Sequence, residues 1–370
     1  MTHVFIVNDQ TFKYHLEYMF AGTGADSRFP VFLKDAPEDC HYSTERNLVG
    51  MIADISRLEV GDEVIFYLTG CTKFYGFFRV RERAFADIDG TYLRYELGKA
   101  LTFRVLLEPV DGEVFAKGVT EHECLDSLEG ISKPSEMCWS LIYRKLKGNR
   151  GCTAIFDYEA VRIKELIRKK NAGRSLPGSA FSFDGYEIIT IDERHDYSGP
   201  RESIAIKERL LKKANADNAF EAHLQAHLMQ EPERIKSLLS LPERCWLANE
   251  VSCGVGMQRI DIMAISERNN TVELTVIELK HASPHTDIID YQLPWYVQWC
   301  ADYVVPNFIG CEVVINLVII ARAFPKNTQL ADFENTAKTH AIAARNATIA
   351  PTQFISFNFD AHDITFNREF

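Results

Sequence analysis

Short apolar runs and longer helical stripes divide the sequence into two differently patterned halves. In the first, "HVFIVN", "DEVIFYLTG", "FYGFFRVRE" and "LTFRVLLEPV" are β-branched and aromatic runs bounded by Gly, Asp and Asn, the pattern of strands. Among them, "ERNLVGMIADISRL" places Leu48, Ile52, Ile55 and Leu58 at helical spacing, and "LEVGD" turns the chain into the next strand. A further helix is predicted in "EAVRIKELIRKK", with Val161, Ile163, Leu166 and Ile167 as one apolar stripe. The stretch "NAGRSLPGSAFS" then has Gly, Ser and Pro and no periodicity. It predicts a linker over residues 171–200, between a first domain at 1–170 and a second at 201–370.

The order of elements changes after the linker. "RESIAIKERLLKKA" and "NAFEAHLQAHLMQ" read as helices, and "RIDIMAI" and "TVELTVIELK" as hairpin strands closing around "SERNNT". "DIIDYQLPWYVQWCADYV" is helical in spacing, and "CEVVINLVIIA" is the unbroken apolar run of a strand buried on both faces. "NTQLADFENTAKTHAIAA" returns to helix and "TQFISFNFD" to strand. The second half is therefore α/β, and the whole chain is expected to be an α+β protein of two domains.

Composition fits that organisation. A chain of 370 residues is long for a single core, and 46% apolar with 25% charged residues is a globular balance. No apolar run reaches membrane-spanning length, and the N-terminal residues lack the basic flank of a signal peptide. Nine scattered cysteines without a CxxC pair lead us to expect reduced thiols and a cytoplasmic protein. The net charge of −11 speaks against nucleic acid as a partner until its distribution is read. Residues 1–180 hold 24 Lys+Arg against 26 Asp+Glu, whereas the remainder holds 17 against 26. Arg144–Arg174 alone carries ten basic and three acidic residues. Affinity for nucleic acid follows local phosphate contacts rather than whole-chain charge; the same segment also reads as a solvated basic helix face.

Charge in an unexpected place points to chemistry. Asp261, Glu278 and Lys280 interrupt hairpin strands that are otherwise Ile, Val and Leu. Glu278 and Lys280 are two apart and share a face, and a closed hairpin brings Asp261 near it. Converging carboxylates repel one another unless a cation lies between them, and hard oxygen ligands suit Mg2+ or Mn2+. Lys280 would then orient or deprotonate an attacking water, or hold a phosphate. A cross-strand charge ladder and a satisfied buried acid are the structural alternatives. Glu221 has two readings as well: an additional acidic ligand, or the third residue of a capping box that Asn218 begins in "NAFE". His223, His227, His281 and His285 lie nearby and are read as structural.

"RIDIMAI … TVIELK" resembles the D-(x)n-ExK core of the PD-(D/E)xK nuclease superfamily. "YQLPWYVQW", with Gln292, Tyr296 and Trp299, is similar to the Q-x-x-x-Y-V-x-W helix of NucS-like endonucleases, although Pro294 departs from it and is expected to kink or start that helix. The resemblance spans about residues 215–325. It implies a restriction-endonuclease-like mixed sheet flanked by helices, with Asp261, Glu278 and Glu221 as metal ligands and Lys280 and Gln292 completing the catalytic set.

"RNLVGMIADISRLEVGDEVIFYLTGCTKFYGFFRV" resembles the PUA-like superfamily, particularly EVE- and YTH-type domains. That likeness covers roughly residues 3–165 and implies a β-barrel holding a modified or flipped base in an aromatic-walled pocket. Candidate pocket residues are Asn47, Tyr67, Thr69, Phe74, Tyr75, Trp139 and Tyr143, with Trp139 and Tyr75 foremost. Arg144, Lys147 and Arg150 would hold backbone phosphates. Strand alternation also assigns part of these aromatics to a barrel core.

Together the resemblances imply a modification-dependent, type IV-like DNA endonuclease, using Mg2+ or Mn2+ in defence against phage DNA. RNA remains open as a partner, and a homodimer would serve to cut both strands. The alternatives are a mismatch- or structure-directed repair endonuclease and a non-catalytic nucleic-acid binder on a vestigial nuclease fold.

Overall fold

The computed structural model describes residues 1–24, 42–126, 131, 151–216, 219–253, 258–284, 291–324, 347–360 and 362–369. The chain is α+β and divides into two compact units, Met1–Ala205 and Ile206–Phe370, each built on a mixed sheet.

In the first unit the strands are β1 (Thr2–Val7), β2 (Phe20–Thr23), β3 (Glu63–Leu68), β4 (Lys73–Val80), β5 (Phe85–Ala86), β6 (Phe103–Pro109), β7 (Val119–Thr120) and β8 (Cys152–Ile155). They form one curled sheet in the order β2-β6-β4-β3-β1-β8, with β5 on β6 and β7 on β4; β1 and β3 run parallel. Its helices are α1 (Asp9–Glu17), α2 (Tyr42–Ser56), α3 (Arg94–Leu97), α4 (Glu121–Asp126) and α5 (Asp157–Lys170). The four long sequence-predicted strands and the helices predicted around Leu48 and Ile163 all form. In α2 the expected stripe is buried at Leu48, Ile52 and Ile55. In α5 the stripe is Ala160, Ile163 and Ile167, while Val161 is 53% exposed. Two residues advance a helix by about 200°, so Val161 and Ile163 cannot share a face.

The predicted linker at 171–200 is instead folded onto the first unit. It contains a hairpin, β9 (Phe181–Phe183) with β10 (Ile188–Thr190). Phe183 packs edge-on against Phe12 of α1 at 5.1 Å, and Ser182 donates to Glu17 at 2.6 Å. Burial of the aromatic side chains outweighs the Gly, Ser and Pro around them.

The second unit contains α6 (Lys207–Asn215), α7 (Glu221–Gln230), α8 (Pro232–Leu239) and α9 (Leu293–Trp299). Its strands are β11 (Trp246–Ser252), β12 (Arg259–Arg268), β13 (Thr271–Lys280), β14 (Glu312–Ala321), β15 (Ala347–Ile349), β16 (Gln353–Phe359) and β17 (Ile364–Arg368). The sheet order is β11-β12-β13-β14-β16-β17, with β15 beside β14. β14 lies parallel to both β13 and β16, and Leu317–Ala321 is fully buried, as its unbroken apolar run predicts. β11 and β17 are antiparallel edge strands that the sequence reading does not contain. The helix predicted in "NTQLADFENTAKTHAIAA" lies outside the described residues.

Among the described residues no helix is long and apolar enough to cross a membrane.

Candidate active site

The site begins with a turn. β12 and β13 are joined by Asn269 and Asn270 alone, both at positive φ (47° and 66°), which asparagine tolerates and which matches the twist of a two-residue hairpin. That turn fixes the register, with Arg268 opposite Thr271 and Ile262 opposite Ile277. Beyond that last pair, alternation along each strand puts Arg259 and Asp261 of β12, and Glu278 and Lys280 of β13, on the face opposite Ile262 and Ile277. Opposed residues share a sheet face, so all four project to one side.

The regular ladder stops at Ile262–Ile277, and side chains take over the main-chain groups beyond it. Asp261 Oδ2 accepts from the Leu279 N–H at 2.8 Å. Gln225 of α7 donates to the Asp261 carbonyl at 2.9 Å, and the Tyr296 hydroxyl of α9 to the Arg259 carbonyl at 2.7 Å. These three bonds satisfy backbone groups that would otherwise lie unpaired where the strands part.

Glu278 is the centre of the cluster, with 1% of its side chain exposed. Its Oε1 accepts from Lys280 Nζ at 2.6 Å and from Gln292 Nε2 at 2.8 Å. Gln292 also donates to Tyr296 Oη at 2.6 Å. The single proton of Tyr296 goes to the Arg259 carbonyl, leaving only a 3.4 Å approach to Glu278 Oε2. Pro294 falls in the first turn of α9, where its missing N–H costs nothing, and Gln292 just before it is already helical (φ −72°, ψ −51°).

Burial, followed by the charge of Glu278, raises the Asp261 pKa well above the usual carboxylate value. Burial likewise raises Glu278, although Lys280 and Gln292 oppose the shift. Burial pulls Lys280 down, but Glu278 and Asp261 outweigh it, and its net shift is upward. Lys280 is accordingly an ammonium in the resting site. Nearby, burial and then Glu278 push the Cys253 thiol up to about 12, so it is inert.

Glu221 makes no hydrogen bond to the carboxylate pair among the described residues, although its charge helps to raise both Glu278 and Lys280. It lies at the first turn of α7, and its Oε1 accepts from the His281 N–H at 3.2 Å and pairs with His281 Nδ1 at 2.9 Å. The helix starts at Glu221 with no side-chain cap, which replaces the capping-box reading; Asn218 lies outside the described residues. His281, read as structural, is therefore a partner of Glu221. Among the described residues no three His, Cys, Asp or Glu side chains are grouped to hold a metal ion. Of the expected ligands, Asp261 and Glu278 have carboxylate oxygens to spare, whereas Glu221 is bonded to His281. The Asp261–Glu278 pair fits a hard cation in chemistry: both are oxygen donors at raised pKa, Asp261 Oδ1 accepts no hydrogen bond among the described residues, and Glu278 Oε2 has only its long contact.

The first unit corrects the base-pocket reading at Tyr67, Phe74 and Tyr75. Tyr67, Phe74 and Tyr75 are core residues at 3%, 0% and 1% exposure. Tyr67 donates to Glu121 at 2.7 Å and packs on Phe74; Tyr75 donates to the Tyr186 carbonyl at 2.8 Å between Phe12 and Phe183. Both faces of β3–β4 are covered, so alternation leaves no open aromatic wall there. Asn47 and Thr69 are exposed, and Thr69 donates to the Val7 carbonyl at 3.3 Å. Trp139, Tyr143, Arg144, Lys147 and Arg150 lie outside the described residues. Within the basic segment, Lys164 pairs with Glu63 and Lys170 with Glu123, so part of that charge is already used.

The sequence reading missed Gln225 and the hydrogen-bonding role of Tyr296. Each is four residues beyond a residue it did single out (Glu221 and Gln292), and so on the same helix face. It also missed Glu250, because β11 was not recognised as a strand, and Arg259, which it placed in a strand without a role.

No protein-family model matches this chain, and no curated protein matches it. One solved structure, that of Pyrococcus furiosus SfsA in complex with Ca2+, aligns with 53% of this chain and 77% of its own at 12% identity and a TM-score of 0.23. A likeness that weak carries no argument about fold or activity.

Proposed function

We propose that Ile206–Phe370 is a metal-dependent phosphodiester hydrolase acting on DNA, a PD-(D/E)xK-type nuclease. One observation carries this reading: Asp261, Glu278 and Lys280 converge on one sheet face, with Gln292 bound to Glu278. Asp261 Oδ1 and Glu278 Oε2 would hold Mg2+ or Mn2+, which supplies charge neutralisation and a more acidic water when bound. Lys280, kept as an ammonium by its two carboxylate neighbours, donates to the scissile phosphate and orients the attacking water rather than deprotonating it. Gln292 holds Glu278 Oε1 in place, and Tyr296, a neutral phenol whose pKa burial and Glu278 push far up, closes the buried side against bulk water. A buried carboxylate pair costs stability, which a chemical role explains and a scaffold does not.

The first unit, as a PUA-like barrel, would present the DNA and select a modified base. With Tyr67, Phe74 and Tyr75 in the core, that selection falls to the segment containing Trp139 and Tyr143. Cleavage of paired duplexes tests both parts, one plain and one carrying 5-methylcytosine, 5-hydroxymethylcytosine or N6-methyladenine, with Mg2+ or chelator. We expect Mg2+-dependent cutting confined to one modified duplex. Equal cutting of all duplexes removes the base reader and leaves the nuclease. Binding without any cutting, unchanged in Asp261→Ala, selects the non-catalytic alternative.

A further inference from the structure

Two cations, Arg259 and Lys280, stand on the same face of the sheet, and Arg259 has no part in the proposed hydrolysis. Alternation along each strand puts Arg259 and Asp261 of β12, and Lys280 and Glu278 of β13, on one sheet face, the one opposite Ile262 and Ile277. On β11, Glu250 lies between Asn249, opposite Ile262, and Val251, opposite Ile260, and its bond with Arg259 brings its carboxylate to this face. The face therefore carries three carboxylates, Glu250, Asp261 and Glu278, and two cations, Arg259 and Lys280.

Arg259 is held loosely. Its side chain is 28% exposed, and among the described residues it makes one bond, from Nη1 to Glu250 Oε2 at 3.1 Å. A guanidinium has five N–H donors in a planar fork, and here most of them are unspent. Its backbone is by contrast fixed, since the Arg259 carbonyl accepts from Tyr296. Glu250 is itself at φ +51°, a left-handed conformation unusual for glutamate in a strand, where Gln225 approaches its Oε1 at 3.4 Å. A partly exposed single-contact ion pair is readily exchanged for a bidentate bond to phosphate.

We propose that Arg259 is a phosphate-binding residue of this site, whose guanidinium leaves Glu250 and forks onto the two non-bridging oxygens of the nucleic-acid phosphate that Lys280 approaches from the neighbouring strand. The inference rests on the phosphodiesterase reading and adds a substrate contact to it. Glu250 acts as the resting partner that keeps the guanidinium on this face until phosphate arrives.

The test uses the full-length protein and a short fluorescein-labelled duplex. Binding is followed by anisotropy in chelator across a salt series, and cleavage in Mg2+. Arg259→Ala should weaken binding about tenfold or more, the scale of a charge-assisted hydrogen bond. It should also lower the salt slope by about one phosphate contact. Arg259→Lys should restore the slope but not the full affinity, because the fork is lost. Glu250→Gln should tighten binding by releasing the guanidinium, an effect that a purely structural ion pair does not predict. Wild-type affinity and slope in Arg259→Ala, with the wild type still cutting, overturn this proposal and spare the nuclease. Equal weakening by Arg259→Ala and Glu250→Gln also overturns it, since the pair then acts only as structure. A wild type that neither binds nor cuts removes the proposal and the reading together. If Arg259→Ala does not fold, Arg259→Lys and Glu250→Gln decide.

Discussion

Replacing Arg104 by methionine is expected to destabilise the unit Met1–Ala205 by about 3–5 kcal/mol, the cost of leaving a buried ion without its partner. Arg104 and Asp87 are both wholly buried, and Nη2 of Arg104 donates to Asp87 Oδ2 at 2.9 Å. The remaining donors reach the Leu101 carbonyl at 2.6 Å, the Tyr92 carbonyl at 2.8 Å and the Tyr197 hydroxyl at 3.1 Å. The guanidinium carbon also lies 5.3 Å from the ring centre of Phe20 and 5.7 Å from that of Tyr197. Methionine fills similar volume but leaves Asp87 charged in the core and two carbonyls unpaired. Asp87→Asn alone strands the cation instead, while keeping an oxygen for the Tyr92 N–H that Asp87 now accepts at 3.0 Å. Asp87→Asn with Arg104→Met should therefore cost less than the sum of the two single changes. Denaturant unfolding of the full chain, followed through the near-ultraviolet circular dichroism of the tyrosines, measures this. A loss below about 1 kcal/mol for Arg104→Met would place the pair with ordinary surface ion pairs and sink the argument.

That pair was not legible in the sequence, whereas the carboxylate pair of the second unit was, and the difference is physical. Asp261, Glu278 and Lys280 stand in strands whose alternation makes any charge conspicuous, and the Asn269–Asn270 turn fixes their register locally. Arg104 stands in an equally apolar strand, "LTFRVLLEPV", but its partner is 17 residues away in an irregular segment with no period to read. Edge strands failed for a related reason. β11 reads "WLANEVS", where Asn and Glu break the apolar run, and β17 is short and polar. The aromatic pocket failed because strand alternation assumes one open face. Phe74 packs into the cluster containing Ala160 and Ile163 of α5, and Tyr75 packs against Phe12 of α1 and Phe183 of the hairpin β9–β10. Which faces of a sheet are covered is decided by elements distant in sequence. Glu221 shows the converse: its proximity to the site was readable, but its partner, His281, follows only from the docking of α7 on the end of β13.

Asp261→Asn is expected to abolish cleavage and, in the same protein, to raise the stability of the second unit. The loss of activity should be on the order of 100–1,000-fold or greater, the scale of removing one electrostatic contact to a transition state. The gain in stability follows from the sign of the pKa shifts. Asp261 and Glu278 both titrate above their unfolded values, because burial and, for Asp261, the charge of Glu278 disfavour the ionised forms. The folded protein thus binds more protons than the unfolded chain between those values, and its stability falls as pH rises through the raised pKa values. Above them the cost is constant, and below the ordinary carboxylate range it is absent. Asparagine removes one of the two charges, keeps an oxygen for the Leu279 N–H and offers an amide donor towards Glu278. In chelator, the melting temperature of Asp261→Asn should therefore exceed that of the wild type at neutral pH, with the gap closing on acidification. About 1 kcal/mol corresponds to roughly 2–4 °C for a unit of this size. Mg2+ or Mn2+ should raise the wild-type midpoint by binding the folded state alone, and should do little for the variant. A variant that melts below the wild type at every pH would mean that Asp261 is a satisfied structural acid, held by Leu279 and Gln225, and the catalytic reading of the hairpin would lose its main support.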